Sequence, residues 1–149
     1  MRQLRKEHKS IVHWLTNLVP SFVNVTYEYP LAEELSLPTM AVESSDINYV
    51  PFQLGSDYKQ NRRWSIYIFA QNIGQRDDYL DIIMDNLDDP IDVYNYDQGE
   101  DETSIDKIGY LLIESRSGNA IRVYKDLVKK LYWYGVVHFK TEFDAYGAG

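Results

Sequence analysis

Residues 62–96, RRWSIYIFAQNIGQRDDYLDIIMDNLDDPIDVYNY, limit the fold more than any other stretch of this chain. Side chains alternate across a pleated strand. Trp64, Ile66 and Ile68 therefore share one face, and Tyr67 and Phe69 the other. A strand apolar on both faces belongs in the middle of a sheet. A few residues later Tyr79, Leu80, Ile83, Met84 and Leu87 recur every three or four positions, the period of one helical stripe. The opposite side of that helix holds Asp77, Asp78, Asp81, Asp85, Asp88 and Asp89. So short a helix does not stand alone in water, so its stripe is expected to lie on the sheet.

The rest of the chain reads as further strands and one more helix. Residues 2–18 carry Leu4, Ile11, Trp14, Leu15 and Leu18 on one stripe, with His8 on the same side, and Pro20 stops the helix. His8 and His13 lie five apart, off a common helix face, which disfavours a metal pair. Residues 22–29 alternate as a first strand and residues 38–50 as a second. Residues 55–62 read as a polar loop or hairpin tip leading into the third. After Pro90 the sequence suggests a short extended piece over residues 91–96. Residues 97–107 read as an acidic loop anchored only by Ile105, mobile or ordered by a partner. Residues 110–114 form a fourth strand and residues 115–119 a turn cluster. Residues 121–124 either continue that strand past a bulge or begin another piece. Residues 131–143 form the last and longest strand. The expectation is a single domain over residues 1–149. Its fold is α+β, with a mostly antiparallel four- to five-stranded sheet flanked by an N-terminal and a central helix.

Charge sorts along the chain. The net charge is −8. Residues 77–106 contain twelve acids and no base, whereas Arg2, Arg5, Lys6 and Lys9 crowd the N-terminus. Opposite patches on one small domain suit head-to-tail association of identical copies, although an acidic helix face is also an ordinary solvated surface. The acidic excess argues against tight nucleic-acid binding. Thirteen tyrosines and three tryptophans suit either a sheet surface or a protein–protein contact. The chain has no cysteine, which removes disulfides, thiolate metal sites and a cysteine nucleophile. The Asn24-Val25-Thr26 acceptor pattern is read as chance, because no signal peptide precedes it. No G-x-S-x-G elbow, phosphate-binding glycine loop or H-E-x-x-H motif is present. Neither catalysis nor a cofactor is expected.

Several phrases resemble one family. They are LPTMAVE at residues 37–43, PFQLG at 51–55, RWSIYIFA at 63–70, QRDDY at 75–79, VYNYD at 93–97 and KLYWY at 130–134. Together they resemble the tail-terminator, or tail-completion, proteins of tailed bacteriophages and their minor tail and neck relatives. The resemblance implies a structural virion protein, made in the host cytoplasm. Its copies would form a homohexameric ring at the head-proximal end of the tail, stopping tube polymerisation and joining tail to neck. The implied partners are other copies of the chain, the tail tube protein and a neck or connector protein. DNA would pass through the lumen without specific binding, and no membrane is involved. Two neighbouring readings stay open: another neck or connector ring protein, and a tail assembly chaperone absent from the virion. Under the ring reading, Asp77, Asp78, Asp81, Asp85, Asp88 and Asp89 are candidates for the lumen or an inter-subunit contact. Asp57, Tyr58, Lys59 and Gln60, with Gln98, Gly99, Glu100, Asp101 and Glu102, are candidates for docking on tube or neck.

Overall fold

The computed structural model describes residues 1–30, 36–51, 58–122 and 133–146. Two helices and six strands follow in the order α1 (Gln3–Leu18), β1 (Asn24–Thr26), β2 (Thr39–Pro51), β3 (Tyr58–Ala70), α2 (Ile73–Asn86), β4 (Ile91–Tyr94), β5 (Lys107–Arg122) and β6 (Trp133–Ala145). The fold is α+β. All six strands form one sheet in the order β1-β2-β3-β6-β5-β4. Every neighbouring pair is antiparallel except β1 with β2. The sheet thus exceeds the four to five strands expected, because the short piece after Pro90 is a true ladder strand: Ile91 pairs with Leu111 and Val93 with Gly109.

β3 is central, as its two apolar faces require. Both helices lie on the face that carries Trp64, Ile66 and Ile68. These pack with Phe139 and Val137 of β6, with Ile11 and Leu15 of α1, and with Tyr79 and Ile83 of α2. Trp64 is fully buried and donates its indole N–H to Thr141 Oγ1 at 3.0 Å, so the one polar atom of the ring is satisfied. α2 lies over β6, β3 and β5. Gly135 makes room for it: a Cβ there would stand 3.3 Å from the Leu80 side chain. α1 touches β1 and β2 near one edge of the sheet and β4 at the other, so the sheet curls beneath it. Ser10 ties the helix to β4 by accepting from Tyr94 N–H at 3.1 Å while donating to Lys6 O. The outer edge of β4 is thereby covered rather than left open.

Four expectations change. First, residues 58–62 are strand, not loop: Tyr58 pairs with Pro51 and Arg62 with Ile47, so the β2–β3 ladder runs well past the point where polarity suggested a tip. Second, residues 115–119 are strand as well. Ser115 pairs with Lys140 and Gly118 with Val137, after a bulge between Ile113 and Ser115. β5, not β6, is therefore the longest strand. Third, the first strand shrinks to Asn24–Thr26, with Phe22, Tyr27 and Tyr29 exposed. Fourth, α2 spans Ile73–Asn86 and does not carry the whole aspartate run. Asn72 accepts from Gln75 N–H and Gln75 Oε1 accepts from Gln71 N–H, both at 2.8 Å, a reciprocal cap that fixes the helix start. Its first turn therefore holds no acid, and Asp88 and Asp89 lie beyond its end.

Candidate functional site

Asp77, Asp78, Asp81, Asp85, Asp88 and Asp89 are all exposed. Asp77 pairs with Arg76 at 3.0 Å, and Asp88 with Arg116 of β5. Among the described residues Asp78, Asp81, Asp85 and Asp89 make no ion pair. Their side of α2 is a solvated acidic ridge that ends against β5.

The acidic loop is held by contacts from within the chain. Lys6 meets Asp97 at 2.8 Å, with the Met1 amino group alongside, and Lys9 meets Glu100 at 2.5 Å. Lys6 holds the Asp97 carboxyl below the ordinary range. Glu102 accepts from Tyr96 Oη at 3.0 Å and faces His13 at 3.4 Å. Burial, followed by this carboxylate, pushes the Tyr96 phenol upward. Gln98 clasps Asp106 twice, and Asp101 caps Thr103. Gly99 sits at φ 148°, where a side chain would be strained. Gln98, Gly99, Glu100, Asp101 and Glu102 therefore form a fitted clasp along α1, and Glu100 and Glu102 are already engaged. Of the other docking candidates, Asp57 lies outside the described residues. Tyr58, Lys59 and Gln60 belong to β3, opposite Pro51, Val50 and Tyr49.

Two features were not foreseen, and a third gives form to the tyrosine-rich sheet surface that the composition allowed. Glu7 and Arg62 form a buried ion pair, Arg62 Nε reaching both carboxylate oxygens at 3.2 Å with both side chains almost fully shielded. Burial pushes the Glu7 carboxyl up, and the guanidinium pulls it back. The periodicities already held this pair. Glu7 precedes Ile11 and Leu15 at helical spacing, and Arg62 precedes Trp64 and Ile66 at strand spacing. The second feature is a cleft of about 1100 Å³ beside the N-terminal half of α1, lined by Arg2, Leu4, Arg5, His8, Glu43 and Ser44 among others. Arg2 and Arg5 are exposed and make no ion pair among the described residues. At its floor His8 Nε2 donates to Val42 O at 2.6 Å, and burial lowers the imidazole pKa. The third is an aromatic cluster on the sheet face away from the helices. Tyr29 stands edge-on to Tyr67 and Phe69 at 5.0 and 5.1 Å, and Tyr134 leans on Phe69 at 5.4 Å.

Ser65 Oγ lies 2.8 Å from His138 Nδ1. Ser65 is fully buried, however, so its hydroxyl cannot meet a substrate; the pair joins β3 to β6. Among the described residues no three histidine or acidic side chains converge as a metal site requires. Among the described residues no helix is long and apolar enough to cross a membrane. No protein-family model matches the chain, and no curated protein is similar to it in sequence.

Proposed function

We propose that this chain is a structural virion protein: a tail-terminator-type subunit that forms a ring at the head-proximal end of a phage tail, ends tube polymerisation and meets the neck. The observation that carries this reading is the two-ended build of the sheet. β2 and β3 approach their connection at one end, where Pro51 pairs with Tyr58. β5 and β6 approach theirs at the opposite end, where Arg122 pairs with Trp133. A subunit that must stack on a tube below and a neck above needs two such ends, joined by a rigid body. Here the four long strands supply that body. The resemblance of residues 37–43, 63–70 and 130–134 to the tail-terminator family points the same way. Opposite charges on α1 and α2 suit closure into a ring through unlike surfaces. Quantitative mass spectrometry of purified virions, counting this chain against the major tail protein, tests the reading. The expected result is about six copies per particle, one closed ring.

A further inference from the structure

Among the described residues, two strand edges of the sheet run on without an outer partner strand. β1 accompanies β2 only as far as Ala41, and β4 accompanies β5 only as far as Leu111. Past those points, with the Val42 carbonyl taken by His8 and the Glu43 side chain accepting from Tyr29 N–H, residues 43–51 of β2 and residues 112–122 of β5 have no outer partner strand among the described residues. The two open stretches are of nearly equal length and lie on opposite sides of the sheet. Unpaired edges are templates for pairing with another chain. The direction also fits. β2 is antiparallel to β3, β3 to β6 and β6 to β5, so β5 runs against β2. The β2 edge of a second copy in the same orientation would therefore meet β5 antiparallel, continuing the alternation.

The helices flanking these edges are charged in opposite senses. The N-terminal half of α1 stands beside the β2 edge, where the cleft joins Arg2 and Arg5 to Glu43 and Ser44, and where His8 takes the Val42 carbonyl. The end of α2 stands beside β5, where Asp88 pairs with Arg116 and Met84 lies 3.6 Å from the space a Cβ on Gly118 would fill. Both helices are on the same face of the sheet. Setting one edge against the other therefore brings Arg2 and Arg5 toward Asp85 and Asp89, four exposed charges that have no ion pair among the described residues. We propose, resting on the ring reading, that copies join head to tail by pairing the outer edge of β2 in one with the outer edge of β5 in the next, the N-terminal end of α1 lying against the C-terminal end of α2. The partner is a second copy of this chain. The contact is heterologous, the kind that generates rings.

The chain has no cysteine, so cross-linking tests the contact cleanly. Glu43 pairs with Ser65, Ser65 with His138, and His138 with Ser117, which places Glu43 and Ser117 on the same sheet face. Glu43→Cys and Ser117→Cys are made singly and together in the full chain, and treated with a short flexible bismaleimide. The expected result is a covalent ladder ending at ring size in the double variant and no inter-chain product in either single. Ladders or dimers from a single variant would mean like edges meet, and would overturn the proposal. Ring-sized oligomers of the unaltered chain by native mass spectrometry, with no cross-linking in the double variant, would overturn this interface and leave the ring reading standing. Monomer throughout overturns the interface too, and the virion count then decides the ring reading separately. A charge exchange supplies the independent arm. Arg5→Glu is expected to weaken association at least about tenfold, and Asp85→Lys in the same chain to restore it. Unchanged association in Arg5→Glu, or no rescue, counts against the contact.

Discussion

Glu7 and Arg62 join the first helix to the central strand by charge rather than by apolar packing. Each is taken out of water, and removing one partner of such a pair destabilises far more than the pair itself contributes. Glu7→Gln is expected to cost about 3–5 kcal/mol in urea denaturation. Combining Glu7→Leu with Arg62→Met should recover most of that loss, because two apolar side chains of similar volume need no compensation. His8 gives a pH dependence of definite sign. Burial lowers its folded pKa below the ordinary 6.5, so just below that pH the unfolded chain binds more protons than the folded one. Stability is complete above the ordinary value and declines as pH falls toward the folded pKa. The urea midpoint should be lower at about pH 5.5 than at about pH 7.5, and the difference should shrink in His8→Gln.

Among the elements, α1 depends most on its surroundings. Its two faces meet β1 and β2 on one side and β4 with the acidic clasp on the other. The clasp holds through Lys6, Lys9 and His13, spaced along the helix to meet Asp97, Glu100 and Glu102 in turn. Exposed pairs of this kind add little to global stability but restrain local opening. Asp97→Asn with Glu100→Ala should speed amide hydrogen exchange in the first half of α1 and in residues 97–106. Exchange in α2 and the unfolding midpoint should stay nearly unchanged. Equal protection in the variant would mean that Ile105 and Tyr96, both buried, hold the loop without the ion pairs. The charge run at residues 97–102 was legible, but its partners were not, because they lie about ninety positions away on α1. Ser115, Ser117 and Gly118 look like a turn by composition. They stay extended because β6 supplies a continuous ladder beside them, and α2 fills the space over Gly118.

At the scale of the whole molecule, the virion count carries the ring reading. About six copies against the tube protein supports one ring. Absence from the particle would favour an assembly chaperone, and a count in the hundreds would make the chain a tube or sheath subunit. Alternation of apolar residues made β3 central, and a three-to-four-residue period made α1 and α2 amphipathic, so the α+β class and the exposed acidic ridge followed from the sequence alone. Those patterns are local, set by the geometry of one helix or one strand. Which strands lie at the edges, which edges stay open, and where the acidic clasp finds its lysines depend on pairings between residues far apart in the chain. Periodicity carries no record of such partners, so strand order, the cover over β4 and the edges of β2 and β5 that lack a partner strand among the described residues were decided only by the tertiary structure.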